Sequence, residues 1–307
     1  MVLGNAAQSS PHGALAPSAF DRAVIALTSR LPSNWLGLRL AILLRRLVTT
    51  RLAGGALDVE RWGLRLRLHP LDNGCEKGLL FTPQMFEPEE RTELATEISR
   101  AGSKRPFVFI DIGANVGLFS LFVAARAGQH ARILAFEPEP GNFARLSFNV
   151  AANPGLPVKP LNLALADEAG ELAIELDRRD RGGTRAHRLD ATQSGADVVR
   201  VPCRPLLAVL REEGIERIDA IKIDVEGMED VVLLPFFRDA PQSLWPNLIV
   251  IEDAHELWSA DLFAALAANG YTVSSRSKLN VMLRRTAQSA SGTGAATERP
   301  SVVTAQR

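Results

Sequence analysis

The sequence predicts an α/β protein built on a doubly wound, mainly parallel β-sheet with an antiparallel hairpin at one edge. Short apolar runs alternate with helical segments from residue 107 onward, and this alternation is typical of parallel strands joined by crossover helices. The first run, "FVFI", has no polar residue between its apolar ones, as expected of a strand buried on both faces. The segment "YTVSSRSKLNVMLRR" has the pattern of a closing hairpin that turns near Ser277.

Five parallel strands are predicted, at residues 107–111, 132–137, 158–165, 218–224 and 247–253. The helix after the first strand is predicted to end at Gly128, since glycine readily adopts the conformation that closes a helix. Further helices are predicted over "GNFARLSFNVAAN", "PLLAVLREEG" and "SADLFAALAANG", and "ELAIEL" predicts an antiparallel strand.

Two elements are predicted upstream of this sheet. The alternation of Leu64, Leu66 and Leu68 with Arg65 and Arg67 predicts a half-exposed strand, with the arginines on the exposed face. The segment "FEPEERTELATEISRAG" predicts a helix, because acidic residues occupy its first turn and a glycine ends it.

We divide the chain into an N-terminal extension (1–60), one domain (61–285) and a tail (286–307). The extension is expected to be partly disordered, with one amphipathic helix over "WLGLRLAILLRRLV", and the small, polar, aperiodic tail is expected to be disordered. That run is too short to span a bilayer and is interrupted by arginines, so no integral membrane span is expected. We favour packing of this helix on the domain, with docking on a membrane surface as the alternative.

Composition limits the classes of partner. The formal net charge of the chain is +0 at pH 7, so no global field recruits nucleic acid, and no nucleic-acid partner is expected. Cys75 and Cys203 are far apart and form no Cys-x-x-Cys pattern, which favours a reducing compartment and a cytoplasmic location.

The turn after the first strand, "DIGANVG", lies where an open parallel sheet binds a cofactor. A dinucleotide fingerprint needs glycine where this chain has Asn115, and a P-loop needs a Gly-Lys-Ser/Thr sequence that the turn lacks. The ligand is therefore expected to carry no phosphate here, yet to require close backbone approach and a nearby acid. S-adenosylmethionine fits, because Asp111 and backbone groups can hold its amino-acid end. Alternatively, Gly113 and Gly117 only turn the chain tightly.

Two further acids are predicted at the same edge of the sheet. Glu137 ends the second strand, where an acid can accept hydrogen bonds from ribose hydroxyls. Asp167 follows the third strand, where it either reaches the exocyclic amine of adenine or serves only as a turn residue.

The fourth strand and its end carry three charges on one face, Lys222, Asp224 and Glu226. Both faces of a central parallel strand are covered, so such charges are costly unless they pair or line a cleft. We therefore place Asp224 near the sulfonium of S-adenosylmethionine, as the acid that faces the acceptor of its methyl group. Lys222 is expected to keep Asp224 ionised, with Glu226 and Glu252 as reserve bases. An ion pair that only organises the fold is the alternative.

The end of the fifth strand, "IEDAHE", offers further candidates. Glu252, Asp253 or His255 can supply a base or bind substrate. Asp224 with Glu252 or Asp253 can ligate a divalent ion, but nothing in the spacing demands one, and no metal is predicted. The arginines at positions 178, 179, 181, 185 and 188 predict a basic loop. This loop is either a solvated surface or a lid that binds an acidic acceptor.

Four segments occur in the order and at the spacing of one known family: "IDIGANVGLFSLFVA", "AFEPEPGNFARLSFN", "LALADEAGEL" and "IDAIKIDVEGMEDVVL". With the upstream "FTPQMFEPEE", they make the chain resemble the FkbM-type S-adenosylmethionine-dependent methyltransferases over residues 107–253. "DIGANVG" indicates only a methyltransferase of the Rossmann-like class, whereas "KIDVEGMED" is specific to the family. The resemblance implies a Rossmann-like class I methyltransferase fold, whose cofactor is held by Asp111, Gly113, Asn115, Gly117 and Glu137.

The resemblance also implies an enzyme that methylates a hydroxyl oxygen of a small molecule, sugar or glycolipid. The chain departs from the family where Cys203, Arg204 and Pro205 replace a Thr-Leu-Asp-like segment, so that the acid usually found there is absent. Two other classes stay open. One is a nicotinamide-dependent oxidoreductase, although Asn115 and the lack of a Tyr-x-x-x-Lys pair argue against it. The other is a non-catalytic S-adenosylmethionine-binding module. A base methyltransferase is not expected, because the fourth strand lacks the Asn/Asp-Pro-Pro-aromatic motif that grips a flipped base.

Overall fold

The computed structural model describes residues 10–52, 55–176, 181, 185–188 and 198–286. Of the predicted basic loop, it describes Arg181 and the backbone of residues 185–188. The tail predicted to be disordered lies outside the described residues from position 287 on. No helix within the described ranges is long and apolar enough to cross a bilayer.

From residue 10 to residue 52, the N-terminal part contains two helices where the sequence predicts one. They are α1 (Ala19–Thr28), which begins after the N-cap Ser18, and α2 (Trp35–Thr49). The first of them lies in a stretch predicted to be disordered or loosely attached. Val24 and Ile25 of α1 are nevertheless buried and join the main apolar core. Tertiary packing therefore orders a helix that its polar surroundings in the sequence do not indicate.

A hairpin and two more helices follow. β1 (Leu57–Arg61) pairs antiparallel with β2 (Leu64–Leu68), and α3 (Gly74–Phe81) and α4 (Pro88–Ala101) come next. The predicted strand is β2, whereas β1 and α3 are not predicted. The leucines of β2 face the core as expected, but Arg67 is only 1% exposed. The predicted exposed face is therefore wrong at Arg67.

The remaining strands are β3 (Phe107–Ile112), β4 (Ala131–Phe136), β5 (Val158–Leu161), β6 (Ala164–Leu165), β7 (Gly170–Glu175), β8 (Arg185–Arg188), β9 (Val198–Arg204), β10 (Ala220–Ile223), β11 (Leu248–Glu252), β12 (Tyr271–Arg276) and β13 (Asn280–Arg285). The remaining helices are α5 (Leu118–Ala127), α6 (Pro140–Ala151), α7 (Leu206–Glu212), α8 (Glu229–Asp239) and α9 (Leu262–Ala268).

The central sheet has seven strands in the order β12-β13-β11-β10-β3-β4-β5. β11, β10, β3, β4 and β5 are parallel, and β13 and β12 extend the sheet as an antiparallel hairpin. This arrangement confirms the predicted doubly wound sheet with its antiparallel edge. The chain reverses direction across the sheet between β3 and β10, so the carboxyl ends of these strands border the crevice where such folds bind ligands.

A second sheet has the order β6-β9-β7-β8. β7 is the predicted antiparallel strand and pairs antiparallel with both β8 and β9. β9 and α8 are not predicted. Pro235 lies inside α8, although proline usually interrupts a helix because it lacks the backbone N–H.

The central sheet is apolar on both faces, as the unbroken run in β3 predicts. Phe107 and Phe109 point into one core, which also contains residues of α4 and α5. Val108 and Ile110 point into the other, which contains residues of α7, α8 and α9. Because each strand is covered twice, its polar groups can appear only at its ends, and the carboxyl ends are where the candidate site lies.

Arg67 is buried because Asp58 lies directly opposite it in the β1–β2 hairpin. Arg67 Nε donates to Asp58 Oδ1 at 2.7 Å, and a second guanidinium nitrogen donates to Oδ2 at 2.8 Å. Burial raises the pKa of Asp58, but hydrogen bonds from Arg67 and from the backbone N–H groups of Leu15 and Gly13 outweigh it and lower that pKa below its usual value. The pair therefore fastens the N-terminal segment to the hairpin.

We expect Asp58→Ala to lower the free energy of unfolding by about 3–5 kcal/mol, because the charge of Arg67 would stay buried without the opposite charge of Asp58. Urea unfolding followed by circular dichroism measures this loss. The double variant Asp58→Ala/Arg67→Met removes both charges and should recover most of it. Equal losses in the single and double variants would show that the unpaired charge is not the cause.

Candidate active site

A cavity of about 340 Å³ opens at the carboxyl edge of the central sheet. This volume lies within the range of about 300–1,000 Å³ that small-molecule sites occupy. Its walls come from the ends of β3, β4, β10 and β11, from the start of α3 and from the second sheet. The predicted residues among its lining are Asp111, Gly113, Asn115, Glu137, Lys222, Asp224, Glu226 and Glu252.

The turn after β3 uses its backbone N–H groups internally. The N–H groups of Gly113 and Ala114 both donate to the carbonyl of Phe136, at 3.0 and 2.8 Å, and that of Gly117 donates to Ala114 at 2.8 Å. The N–H of Asn115 donates to a carboxylate oxygen of Glu137 at 2.7 Å. These groups are therefore not available to cradle a phosphate, and an acid already occupies the position that a pyrophosphate would need.

Gly113 is required by its conformation and by its neighbour. Its φ is +76°, in the region that favours glycine, and a Cβ built there would lie 1.9 Å from the carbonyl oxygen of Asp224. Gly117 has a φ of +84° and lies against Leu146, outside the cavity lining. The first glycine thus allows β3 and the end of β10 to approach, and the second closes the turn onto α6.

The segment at the start of α3 holds the turn from the other side. Asn73 caps α3 through its side-chain oxygen, and its amide Nδ2 donates to Asn115 Oδ1 at 2.9 Å. Arg145 of α6 donates to Asp72 at 2.7 Å and to the fully buried Glu76 at 2.8 Å. No motif considered in the sequence includes Asp72, Asn73 or Glu76, because these residues act through contacts distant in the chain.

Glu137 lines the cavity beside the turn. One of its carboxylate oxygens accepts from the N–H of Asn115, and the other accepts from the N–H of Glu139 at 2.9 Å. Burial raises the pKa of Glu137 to about 8, against the effect of these two donors. Each oxygen keeps a further lone pair, so Glu137 can still accept from hydroxyl groups of a ligand.

Lys222 lies buried among carboxylates of three different elements. Its Nζ is 2.9 Å from Asp224 Oδ2, and it is the register partner of Asp111 on the neighbouring strand. Burial acts to lower the pKa of Lys222, but Asp224, Glu87 and Asp111 outweigh it and raise that pKa. Lys222 is therefore charged, and more than one carboxylate shares its charge.

Two buried carboxylate oxygens in this group have no hydrogen-bond partner within the described part of the chain. Asp111 is 1% exposed; its Oδ2 accepts from Ser120 at 2.5 Å, whereas its Oδ1 is unpartnered. Glu87 Oε2 is likewise buried and unpartnered. A buried acceptor without a donor is costly, so both oxygens favour a ligand that brings N–H groups.

Glu87 is a site residue that the sequence interpretation missed. It precedes Pro88 at the start of α4, with a φ of +39°, and it lines the cavity. Burial raises the pKa of Glu87 to about 7, Lys222 opposes this, and nearby carboxylates add to it. The available signal was its place in "FTPQMFEPEE", a segment that resembles the family but precedes the sheet.

Three acids form an acidic trio, which we define as Asp224, Glu226 and Glu252. Carboxylate oxygens of all three lie within 4.8 Å of one another, close enough to hold a metal ion. Burial, together with Asp224 and Glu226, raises the pKa of Glu252 to about 8. The loop that carries Glu226 is held by Glu229, which accepts from the N–H of Val225 at 2.9 Å.

Several other candidates lie away from this centre. Asp167 is not among the residues that line the cavity, nor are Asp253 and His255. Asp253 accepts from Arg276 at 3.0 Å and lies 2.6 Å from the imidazole of His255. The structure therefore places neither the predicted adenine contact, Asp167, nor the two candidate bases, Asp253 and His255, in the cavity lining.

The departure from the family pattern also lies outside the cavity lining. Cys203 and Arg204 end β9, and Pro205 is the N-cap residue of α7, which has no side-chain cap. The missing acid falls at this N-cap, where an aspartate would accept from a helix N–H. The substitution therefore removes a helix cap and leaves the lining of the cavity unchanged.

The family profile described as the methyltransferase FkbM domain matches residues 111–273, more than half of the chain. The chain is 39% identical over 158 residues to "Methyltransferase sdnD" of Sordaria araneosa, covering 42% of this chain and 59% of that protein. It is 30% identical over 196 residues to "31-O-demethyl-FK506 methyltransferase FkbM" of Streptomyces tacrolimicus, covering 54% and 73%.

A third relative is "Hexuronic acid methyltransferase AglP" of Haloferax volcanii, 29% identical over 146 residues that cover 47% of this chain and 55% of that protein. The chain thus matches less than two thirds of the length of the Sordaria and Haloferax proteins. The profile match and the strand order together confirm the predicted Rossmann-like class I methyltransferase fold.

We expect Gly113→Ala to destabilise the protein far more than Gly128→Ala. Both glycines have a positive φ, +76° and +70°, but a Cβ at Gly128 meets nothing within 4 Å. The cost at Gly128 should be the conformational one alone, on the order of 1–3 kcal/mol, whereas Gly113→Ala must also separate the turn from Asp224. Urea unfolding of the two variants measures the difference. Similar losses of unfolding free energy in the two variants would mean that β10 moves away from the turn without a measurable free-energy cost.

Proposed function

The chain belongs to the FkbM methyltransferase family, and from this membership we propose that it transfers a methyl group from S-adenosylmethionine to a hydroxyl oxygen of a small molecule, sugar or glycolipid. Two of its relatives are named for methylation of a hexuronic acid and of a demethylated FK506. Acceptors that offer hydroxyl groups are therefore the class to test first.

The observation that carries the cofactor assignment is the pair of unpartnered carboxylate oxygens, Asp111 Oδ1 and Glu87 Oε2. S-adenosylmethionine is a cation with an ammonium group, whose N–H donors and charge suit a buried acidic pocket. We assign Asp111 and Glu87 to the ammonium end and Glu137 to the ribose hydroxyls. The apolar side chains of Leu165, Leu172 and Ile174, which line the cavity, would then pack against the adenine ring.

A nicotinamide dinucleotide fits the same cavity less well. Its pyrophosphate needs free N–H groups at the turn after the first strand, but those of Gly113, Ala114 and Asn115 are already hydrogen-bonded. This geometry favours the methyl donor over the oxidoreductase alternative.

The acidic trio is the acceptor end of the proposed site. S-adenosylmethionine supplies an electrophilic methyl group on a sulfonium. The protein aligns the acceptor hydroxyl, and a carboxylate takes its proton, which contributes about 10²- to 10⁴-fold. Asp224 is the proposed base, because it lines the cavity at the end of β10 and its Oδ2 lies 2.9 Å from Lys222 Nζ. With a pKa of about 8, Glu252 is mostly protonated at neutral pH, and in this form it donates a hydrogen bond to the acceptor. Its ionised form, which becomes the major one above that pH, is the reserve base.

A base is favoured over a divalent metal at the trio. The ammonium of Lys222 lies beside Asp224, and its charge opposes a second cation on the same carboxylate. Activity should therefore survive dialysis against EDTA, and loss of activity that Mg²⁺ or Mn²⁺ restores would instead make the trio a metal site.

We expect calorimetry to detect binding of S-adenosylmethionine and no binding of NAD or NADP. Transfer of a labelled methyl group to glycans that contain uronic acids or to polyketide hydroxyls then tests the reaction. Binding of the donor without transfer to any hydroxyl acceptor would favour a non-catalytic binding module. Binding of NAD in its place would overturn the proposal.

Replacing Asp224 should separate catalysis from cofactor binding. Asp224→Asn keeps the shape and removes the base, so kcat should fall by at least about tenfold while affinity for S-adenosylmethionine stays within a few fold. The control is Asp253→Asn, which changes an acid at the same edge but outside the cavity lining. Unchanged turnover by Asp224→Asn would assign the proton to Glu252.

Binding of S-adenosylmethionine should strengthen as pH rises through about 7, because a cation prefers the ionised form of Glu87. A carboxyl with that pKa contributes about a tenfold rise in affinity between pH 6 and pH 8. The groups that act on Glu87 are Lys222, Asp224, Glu90, Asp111 and Arg91.

In Glu87→Gln, the affinity for S-adenosylmethionine measured by calorimetry from pH 6 to pH 8 should lack this tenfold part of the rise. The matched control is Glu89→Gln, an exposed acid two residues away, which should retain it. An identical pH profile in Glu87→Gln and the unmodified protein would remove Glu87 from the binding site.

A further inference from the structure

Helix α2 buries only a narrow stripe. Gly37, Ala41 and Val48 are its buried residues, and it packs against α1. Six of its large apolar side chains have exposures between 41% and 69%, namely Trp35, Leu36, Leu38, Leu40, Leu43 and Leu47. The sequence prediction that this helix packs on the domain thus holds for one stripe, which includes Val48 and the partly buried Leu44, and does not account for the six exposed side chains.

The exposed leucines form a line along the helix. Leu36, Leu40, Leu43 and Leu47 are spaced by four, three and four residues, which places them on one face. Trp35 adds an indole at the start of the helix, 69% exposed. An apolar face of this extent is more than the isolated exposed leucines of a typical surface, and it marks an interaction site.

The same region is strongly basic, although the chain as a whole has a formal charge of +0. Between Asp21 and Asp58 the sequence has no acidic residue and contains six arginines. Five of these are exposed: Arg22, Arg30, Arg39, Arg46 and Arg51. Balanced composition therefore conceals a local cationic surface in this part of the molecule.

We propose that α2, with α1 behind it, docks the protein on the surface of an anionic lipid bilayer. Leucine and tryptophan side chains enter the boundary between headgroups and acyl chains, and arginines beside them contact the lipid phosphates. Arg39 lies over the ring of Trp35 at 5.3 Å, an arrangement that suits an aromatic group at a wet interface.

The charge decides between this occupant and a second copy of the chain. Two copies pressed together through α2 would bring twelve arginines into one region with no acid from either segment, whereas anionic lipid neutralises them. The helix lies on the bilayer rather than across it, because its 15 residues span only about 22 Å, less than the hydrocarbon core of about 30 Å. The inference is independent of the methyl acceptor.

Flotation of the full chain with vesicles tests the proposal. We expect binding to vesicles that contain about a third phosphatidylglycerol, weak binding to phosphatidylcholine alone, and release at high salt, since screening weakens the attraction. The variants Leu36→Ser/Leu43→Ser/Leu47→Ser and Arg39→Glu/Arg46→Glu should each lower the partition coefficient by at least about tenfold. All these residues are exposed, so the variants should keep the melting temperature.

Matched controls change the same chemistry elsewhere. Leu71→Ser/Val273→Ser and Lys104→Glu/Arg211→Glu alter exposed apolar and basic residues distant in the chain, and both should bind vesicles like the unmodified protein. Failure of the unmodified protein to bind anionic vesicles at low salt, or equal losses in the controls, would overturn the proposal. A dimer in sedimentation that the leucine variant abolishes, without vesicle binding, would assign the face to a second copy instead.

Discussion

The charge of Lys222 is the interaction on which the carboxyl edge of the sheet depends. Its ammonium lies between the end of β3, the end of β10 and the start of α4, and so near Asp111, Asp224 and Glu87. One cation does not neutralise three carboxylates, and the excess of negative charge must be met by solvent, by protons or by a ligand. The site is therefore suited to a cation before any ligand arrives, and this is the physical link between the fold and the proposed methyl donor, which is positively charged.

Backbone contacts fix the same groups in place. The turn at Gly113 lies against the carbonyl of Asp224, so the ends of β3 and β10 cannot move apart independently. Behind the loop that carries Glu226, Glu229 accepts hydrogen bonds from the N–H of Val225 and from the indole N–H of Trp258. The "KIDVEGMED" segment thus contains both the acids that face the cavity and an acid that holds their loop.

Much of the fold could be predicted because its signals are local. The five parallel strands and the helix that ends at Gly128 follow from apolar runs and glycine, and the structure has them within a few residues. The burial of Arg67 could not be predicted in this way, because alternation gives the face of a residue but not its partner across the hairpin, Asp58. In the site, the acids at strand ends were found because parallel strands share an edge. Glu87 and Asn73 were missed because they reach that edge from segments that precede the sheet.

The buried acids also set a relation between pH, ligand and stability. Glu87, Glu137 and Glu252 have pKa values of about 7, 8 and 8 in the folded protein, all above the value of about 4.3 expected in an unfolded chain. A carboxyl whose pKa is raised by folding binds more protons when folded, so its contribution to stability is full at low pH and declines as pH rises through its folded pKa. Between about pH 4 and pH 8 these three carboxyls therefore contribute progressively less to the stability of the ligand-free protein. A bound cation has the opposite effect, because it stabilises the ionised carboxylates. The stability that the protein gains from its ligand is therefore greatest in the pH range where its own acids begin to ionise.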